Sequence, residues 1–193
     1  IIIALGTWVL RETCRQVMCW KDSGFELPQV SVNLSVKQLE RPEFVDTLLE
    51  ILDETGIEPS RLKLEITESV VMAVEDAFSL LDRLRKIGIS LALDDFGTGY
   101  SSLSYLKMLP VQQLKIDRSF VIGIGTNPED EAIIRSVMAL AQSLDFEVVA
   151  EGVETAEQAA FLSAWGCHQL QGFLHGSAVA PAEFRARWDS LPR

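Results

Sequence analysis

Hydrophobic positions along this chain alternate between two periods, which predicts short strands separated by amphipathic helices. Apolar residues at every second position, as in Val30-Ser31-Val32, indicate a strand, and apolar spacings of three and four residues indicate a helix. Glycines at 56 and 88 are placed to end two of those helices. The predicted strands are Val30–Leu34, Leu62–Ile66, Ile89–Leu93, Leu114–Ile116, Phe146–Ala150 and His168–Phe173. The spacing of Leu5, Trp8, Val9 and Val17 predicts a further helix before the first strand.

Regular alternation of strand and helix predicts an α/β fold, in which a mostly parallel sheet carries helices on its outside. The pattern alone fits an open sheet or a closed barrel. A closed barrel of this kind needs eight strands and about 250 residues. The chain has 193 residues, and its pattern supplies six strands. If the barrel is closed, two strands are expected to precede Ile1.

Polar oxygen-bearing side chains follow or end most of the predicted strands. These residues are Asn33, Glu65, Asp94, Asp95, Asp117, Glu151 and Gln171. Because reacting groups of strand–helix barrels lie at the carboxyl ends of the strands, we expect one shared site there. Carboxylate and amide oxygens suit Mg²⁺, Mn²⁺ or Ca²⁺ better than zinc, and the chain has only two histidines. The sequence therefore predicts a site for hard divalent cations.

Each of these residues also has an ordinary structural interpretation. A single carboxylate at a strand end is commonly a helix cap or a solvated loop residue. Lys115, two residues before Asp117, fits both a structural ion pair and a charge that positions a water or a phosphate oxygen. The stretch Gly97-Thr98-Gly99 fits both an ordinary turn and a flexible connection that closes over a ligand.

Composition narrows the class of ligand. A net charge of −11 and a pI near 4.6 argue against a DNA or RNA polymer as partner, because phosphate backbones are bound by clustered Lys and Arg. An anionic ligand would need cations between it and the protein. Cys14, Cys19 and Cys167 form no C-x-x-C pair, which favours free thiols in a reducing compartment. The apolar start, Ile1–Leu10, is too short for a membrane segment, so we expect a cytoplasmic chain.

Six motifs in order resemble those of EAL domains, and the resemblance covers nearly the whole chain. The motifs are Asn33-Leu34-Ser35, Leu64-Glu65-Ile66-Thr67-Glu68-Ser69, the run from Asp94 to Leu103 (Asp-Asp-Phe-Gly-Thr-Gly-Tyr-Ser-Ser-Leu), Lys115-Ile116-Asp117, Ala150-Glu151-Gly152-Val153-Glu154-Thr155 and Gln171-Gly172-Phe173. EAL domains are bacterial phosphodiesterases that hydrolyse cyclic di-GMP to linear 5'-pGpG with Mg²⁺ or Mn²⁺. The resemblance implies a modified TIM-type (β/α) barrel, here with about six of eight strands.

The resemblance also implies a role for each matching residue. One metal would be held by Asn33, Glu65 and Asp94. The second metal and its water would be held or oriented by Asp94, Asp95 and Glu151, with Glu151 as general base and Lys115 positioning the water. Gln171 and Asp117 would contact cyclic di-GMP. Glu68 and Glu154 would support the loop from Phe96 to Leu103, which includes Gly97, Thr98 and Gly99.

Two departures from the family pattern affect these expectations. The Glu-Ala-Leu motif, whose glutamate is a metal ligand, is absent and is expected upstream of Ile1, so residues 1–193 are expected to be one EAL-type domain truncated at its amino end. Ser177 and Ala178 replace a basic residue and a proline that are usual in the family.

Two alternatives to an enzyme remain open at this point: a receptor that binds cyclic di-GMP without cleaving it, and a regulatory module that acts by dimerisation. We expect a homodimer whichever of these functions the chain has. The parent protein is expected to carry amino-terminal sensory or GGDEF-type domains. A membrane anchor elsewhere in the parent protein is compatible with this expectation.

Overall fold

Six strands form a single parallel sheet in sequence order in this computed structural model, which describes residues 1–74, 76–98 and 106–190. The strands are β1 (Val30–Asn33), β2 (Leu62–Thr67), β3 (Ser90–Phe96), β4 (Gln113–Ile116), β5 (Glu147–Ala150) and β6 (Gln169–Leu170). Each strand pairs in parallel with the next one along the chain. Ser31 of β1 and Gln169 of β6 belong to opposite edges yet line one cavity, because the sheet curls towards a barrel. The α/β barrel-type fold is confirmed.

Helices precede, separate and follow the strands along the chain. They are α1 (Ile2–Asp22), α2 (Val36–Leu39), α3 (Phe44–Thr55), α4 (Glu68–Ala73), α5 (Ala77–Ile87), α6 (Arg118–Ile122), α7 (Pro128–Leu144), α8 (Ala156–Ala164) and α9 (Pro181–Asp189). A short 3₁₀ helix, Pro59–Arg61, leads into β2. None of the helices in the described ranges has the combination of length and apolar character that a bilayer crossing requires.

Alternation along the strands divides the sheet into an apolar outer face and a polar concave face. Leu62, Leu64 and Ile66 of β2 have no exposed surface and belong to the same core as Leu48 of α3 and Leu84 of α5. Fully burying a side chain of this size contributes roughly 1.5–3 kcal/mol relative to leaving it exposed. This outer core holds the strands in place, and it leaves the other face of each strand free to carry polar side chains.

The signals that predicted helix ends operate as expected. Gly56 and Gly88 have φ values of +70° and +101°, the left-handed conformation in which glycine carries no Cβ penalty. Asn127 caps α7 by accepting a hydrogen bond from the Glu129 N–H. Thr155 and Gln158 form a capping box at the start of α8.

Two details differ from the prediction. The first helix is present, but its buried stripe is Leu10, Cys14 and Val17, whereas Trp8 is 59 % exposed. Strand β6 comprises Gln169 and Leu170 only, although its apolar pattern continues to Phe173. The reason is that the chain turns at Gly172, where a Cβ would meet the Val153 backbone at 2.1 Å. The apolar residues before Pro110 also predict a short helix, which would fall mainly on residues outside the described ranges.

Candidate active site

A buried lysine lies among three carboxylates on the concave face of the sheet. The Lys115 ammonium on β4 is 2.5 Å from Glu65 Oε2, 3.1 Å from Asp94 Oδ1 and 2.5 Å from Glu151 Oε1. These acids come from β2, β3 and the residue after β5, so four consecutive strands supply the cluster. The Lys115 side chain is 3 % exposed, and each carboxylate is mostly buried. This set is called the lysine cluster below.

A second acidic group adjoins the lysine cluster and shares Glu151 with it. Oxygen atoms of Asp95, Asp117 and Glu151 lie within 4.8 Å of one another, as do oxygens of Glu65, Asp94 and Glu151. The sequence predicted that Asp94, Asp95, Glu65 and Glu151 converge, and the structure brings them together. Asp117 also caps α6, because its carboxylate accepts a hydrogen bond from the Ser119 N–H at 3.0 Å.

The electrostatics of the two groups follow from burial and from like charges. Burial raises the pKa of Glu151, and the nearby Asp94 and Glu65 carboxylates raise it further against the opposing effect of Lys115. The pKa of Asp95 is raised by burial and by Asp94 and Asp117. Burial lowers the pKa of Lys115, but hydrogen bonds to Glu151 and Glu65 outweigh it, so the net direction is upward. The lysine therefore stays charged.

An irregularity in β3 aims two adjacent aspartates at different parts of the site. The register between β3 and β4 shifts between Leu93 and Phe96. Asp95 there has φ +54°, a left-handed conformation that is uncommon outside glycine, and its N–H donates to Asp94 Oδ1 at 3.0 Å. As a result Asp94 contacts Lys115 while Asp95 joins the second acidic group.

Asn33 and Gln171 lie at the two edges of the sheet. Asn33 pairs in register with Glu65 across β1 and β2. The Gln171 backbone donates to Ala150 O and accepts from Val153 N, and its side chain lines the same cavity as Lys115. That cavity has a volume of about 320 Å³ and opens on the concave face. The register thus places Asn33 beside Glu65 of the lysine cluster, and Gln171 lines the cavity that Lys115 also lines.

Glu68 and Glu154, the two residues predicted to support the loop after β3, make different contacts. Buried Glu68 accepts a hydrogen bond from the Gly97 N–H at 3.3 Å, which ties α4 to the segment after β3. Thr98 closes a turn there by donating its hydroxyl to Asp95 O at 2.9 Å. Exposed Glu154 instead pairs with Arg118 at 2.7 Å. Gly99, like the rest of the loop through Leu103, lies outside the described residues, so its supporting role stays a prediction.

Sequence reasoning missed a second polar layer below the lysine cluster. Lys63, Gln113 and Glu147 lie on the concave face, and Gln113 donates to the Glu147 carboxylate at 3.2 Å. Burial lowers the pKa of Lys63. The alternation in Lys63-Leu64-Glu65 could have predicted this layer. Charged and apolar residues point to opposite faces of a strand, and because β2 is buried on both faces, its charged face must line a polar interior.

A curled parallel sheet with acidic groups on its concave face defines a (β/α)-barrel domain with a polar candidate active site. The sequence profile described as EAL domain matches residues 1–178. Because that match covers most of the chain, the chain belongs to the EAL domain family.

The relatives that this chain matches are several times longer than it is. The chain is 45 % identical over 184 residues to the bifunctional diguanylate cyclase/cyclic di-GMP phosphodiesterase MucR of Pseudomonas aeruginosa. It is 43 % identical over 198 residues to the cyclic di-GMP phosphodiesterase NbdA of the same organism. These alignments cover 95 % and 100 % of this chain but only 27 % and 25 % of the relatives. The chain thus spans about a quarter of the length of the relatives that it matches.

Solved structures of the family superpose closely on this fold. A structure described as PaMucR phosphodiesterase in complex with c-di-GMP has a TM-score of 0.89 and 42 % identity, covering 95 % of this chain and 74 % of that one. A manganese/cyclic di-GMP complex of Klebsiella pneumoniae BlrP1 has a TM-score of 0.78 and 32 % identity, covering 89 % of this chain and 44 % of that one.

Proposed function

We propose that this chain is a metal-dependent phosphodiesterase domain that hydrolyses cyclic di-GMP to linear 5'-pGpG in bacterial second-messenger signalling. The observation that carries the proposal is the convergence of Glu65, Asp94 and Glu151 on Lys115, with a second acidic group beside them. The choice of cyclic di-GMP as the substrate rests on similarity to proteins named cyclic di-GMP phosphodiesterases. A receptor without activity is the alternative, and the experiment below separates the two.

The donor set fits Mg²⁺ or Mn²⁺. Both acidic groups consist of carboxylates, with the Asn33 amide on the strand beside Glu65, and hard divalent cations prefer such oxygens. A related structure is described with manganese and another with calcium, in each case with cyclic di-GMP. In the proposed assignment one metal would be held by Asn33, Glu65 and Asp94, and the other by Asp94, Asp95 and Glu151, beside Asp117.

Each residue then has a task in cleaving the phosphodiester. When bound, two divalent cations polarise the phosphoryl oxygens and lower the pKa of a bound water. Glu151, whose pKa is raised by burial, is suited to accept the proton of the attacking water as general base. Lys115 donates hydrogen bonds that orient that water. Gln171, which lines the cavity beside Lys115, and Asp117 would contact cyclic di-GMP.

Charge explains why such a site needs cations. A ligand with two phosphodiesters is a dianion, and the chain carries a net charge of −11. Two unit charges about 4 Å apart interact by roughly 4 kcal/mol at an effective dielectric constant near 20. Without cations, the ligand would be repelled by both acidic groups. Divalent cations reverse the sign of the local charge and so allow binding and catalysis at one place.

The test is turnover of cyclic di-GMP, followed by chromatography of the products. We expect Mg²⁺- or Mn²⁺-dependent formation of 5'-pGpG, reduced about 100-fold or more by Glu151→Gln and by Asp94→Asn. Glu147→Gln is the matched control, because Glu147 lies on the same strand face as Glu151 but contacts Gln113 instead of Lys115. Tight binding of cyclic di-GMP without any product would replace this proposal with the receptor. Equal turnover in all variants would exclude the assigned residues.

The proposal extends to the context of the domain. The relatives that match are signalling proteins several times longer, and one is named as a bifunctional cyclase and phosphodiesterase. We therefore propose partner domains of sensory or GGDEF type in the same protein, a homodimeric state, and a cytoplasmic location for this domain. Light scattering coupled to size-exclusion chromatography tests the dimer, and a monomeric mass at all concentrations would exclude it.

A further inference from the structure

Most arginines of this acidic chain are paired with carboxylates. Ten arginines lie within the described ranges, and eight of them have a carboxylate oxygen within 4.0 Å. The other two have no such partner among the described residues. They are Arg41, in the connection between α2 and α3, and Arg83, on α5. Both side chains are exposed, and they are called the free arginines below.

The free arginines line the same cavity, although they belong to different elements. The cavity has a volume of about 480 Å³ and lies between residues 39–42 and the face of α5 that carries Ser79 and Arg83. Buried Leu39 and Val74 give it an apolar floor. Binding sites for small molecules commonly have volumes of roughly 300–1,000 Å³. The cavity is therefore large enough for a small organic ligand.

The acid that precedes each free arginine in sequence pairs with another cation. Glu40 accepts a hydrogen bond from the Lys37 ammonium at 2.8 Å. Asp82 accepts one from Arg85 at 3.1 Å on the same helix. Neither acid neutralises the free arginines, which therefore present two positive charges to one cavity in a chain with a net charge of −11.

Two further polar side chains line this cavity. Asp76 is the N-cap residue of α5, has φ +57° and makes no side-chain hydrogen bond to the helix end. Its carboxylate lines the cavity, and Ser79 adds a hydroxyl one turn along the helix. Besides Glu40, which Lys37 engages, the wall thus offers two guanidinium groups, one carboxylate and one hydroxyl above the apolar floor.

This combination of groups indicates a class of ligand. A guanidinium presents parallel N–H donors that match two oxygens of a phosphate, and carboxylates accept hydrogen bonds from ribose hydroxyls. We propose that the cavity binds a small phosphorylated sugar, either free or as part of a nucleotide, with its phosphate on Arg41 and Arg83 and a hydroxyl on Asp76. The cavity includes no residue of the lysine cluster or of the second acidic group.

The walls of the cavity continue from segments that carry the candidate active site. Residues 39–42 follow α2, which begins shortly after Asn33. Ala73 ends α4, and Glu68 at the start of α4 accepts the hydrogen bond from the Gly97 N–H. A ligand held by both free arginines connects these segments through α5. Resting on the proposed function, the bound phosphate regulates turnover through Asn33 and Glu68 and is not itself a substrate.

The first experiment is calorimetric titration with ribose 5-phosphate, guanosine 5'-monophosphate and inorganic pyrophosphate. A metal chelator is present, so that the acidic groups of the active site repel these anions. We expect Arg41→Gln and Arg83→Gln each to weaken binding of all three probes about 10-fold, and the double variant to weaken it about 100-fold. Asp76→Asn should weaken binding of the two sugar phosphates and leave pyrophosphate binding unchanged.

Arg85→Gln is the matched control. It removes the same charge from the same helix, but Arg85 pairs with Asp82 and does not line the cavity. It should change affinity by less than about twofold. No saturation by any probe up to about 10 mM, or equal affinities in the parent and both cavity variants, would overturn the proposed site. Equal effects of Asp76→Asn on pyrophosphate and on the sugar phosphates would overturn the assignment of a sugar.

Hydrogen exchange of the parent chain tests the site without any substitution. Saturating ribose 5-phosphate should slow amide exchange in residues 39–42 and in the first turn of α5, and leave α8 unchanged. Protection confined to other segments would place the ligand elsewhere and contradict the proposal.

Regulation is measured as turnover of cyclic di-GMP with Mn²⁺. Saturating ribose 5-phosphate should change the rate about twofold or more in the parent and not in the double arginine variant. Binding without any change in rate would refute the regulatory role alone. Absence of turnover in every chain, with phosphate binding retained, would refute the proposed phosphodiesterase and leave the binding site standing.

Discussion

The carboxylate of Glu68 accepts a hydrogen bond from the backbone N–H of Gly97 at 3.3 Å. Glu68 opens α4 after β2, and Gly97 follows β3 directly after the aspartates of the site. Gly97 has φ +98°, and a Cβ there would lie 3.0 Å from the Phe120 ring, so a residue with a side chain would be strained at this position. The bond thus fixes the chain immediately beyond Asp95.

We expect Glu68→Ala to lower turnover of cyclic di-GMP by about tenfold, because an unpartnered Gly97 amide allows Asp95 to leave its left-handed conformation. Hydrogen exchange at the Gly97 amide should become faster in the same variant. Glu68→Gln keeps an acceptor oxygen and should retain most of the activity. If Glu68→Ala exchanges at the parent rate and is fully active, the hydrogen bond has no role in holding the site.

Exposed Glu154 offers a contrast with Glu68. Its ion pair with Arg118 joins side chains that are 40 % and 54 % exposed, and such surface pairs contribute at most about 1 kcal/mol. Glu154→Ala should therefore leave the free energy of unfolding within about 1 kcal/mol of the parent in urea denaturation. A larger loss would indicate a buried role for Glu154 in the loop.

The packing of α1 against α2 depends on a residue without a side chain. A Cβ at Gly6 would lie 2.3 Å from Nε2 of Gln38, which is buried. The Oε1 atom of the same Gln38 amide accepts hydrogen bonds from the N–H and the hydroxyl of Ser35. These bonds cap α2, which begins shortly after Asn33. Among the described side chains, Gln38 Nε2 is the buried polar atom that has no hydrogen-bond partner.

From this contact we predict that Gly6→Ala destabilises the chain by about 1–3 kcal/mol in urea denaturation, since Gln38 must move and loosen the cap. Alanine is otherwise the better helix former by about 1 kcal/mol. In a Gln38→Ala background, where the obstacle is gone, Gly6→Ala should be neutral or stabilising. The same cost in both backgrounds would show that the contact with Gln38 is not the cause.

Local sequence patterns predicted most of the strands and helices and part of the candidate site. Period-two apolar runs located the six strands of the described residues, and Gly56 and Gly88 marked two helix ends, because each signal depends on a few neighbouring residues. The recurrence of acids after apolar runs predicted the convergence of Glu65, Asp94 and Glu151. That step needed only the rule that parallel strands end at a common rim.

What could not be predicted depends on distances across the sheet. The sequence fits Lys115 both as a structural ion pair and as a charge that positions a water or a phosphate oxygen. Its three simultaneous contacts with carboxylates follow from the curl and register of four strands. Asp94 belongs to the lysine cluster and Asp95 to the second acidic group because the register between β3 and β4 shifts, and no single residue predicts that shift. The early turn at Gly172 likewise depends on the Val153 backbone from a different loop.

The buried thiol of Cys14 predicts a pH dependence of stability. Burial raises its pKa to about 11, and the residue has no exposed surface. A group whose pKa is higher in the folded chain than in the unfolded chain stabilises the fold fully below the unfolded pKa and loses that contribution as the pH rises. Relative to Cys14→Ala, the parent should lose about 2–3 kcal/mol of unfolding free energy between about pH 9 and pH 11. Parallel pH profiles for the two chains would contradict this prediction.

The acids of the site predict opposite effects of acid on stability and on metal binding. The pKa values of Glu151 and Asp95 are both raised above their ordinary values, chiefly by burial and then by neighbouring carboxylates. Protons therefore bind the folded chain more tightly than the unfolded one. These two residues should stabilise the metal-free fold as the pH falls towards their raised pKa values and destabilise it as the pH rises through them.

Metal and proton compete for the same oxygens, so Mn²⁺ affinity should fall over the range in which the metal-free chain gains stability from these acids. Thermal unfolding and calorimetric titration between about pH 7.5 and about pH 5 measure both quantities on one sample. In Glu151→Gln the amide does not titrate, and both pH dependences should flatten. If the parent and Glu151→Gln show the same slopes, Glu151 is not the residue at which proton and metal compete, and the general base must be sought elsewhere in the two acidic groups.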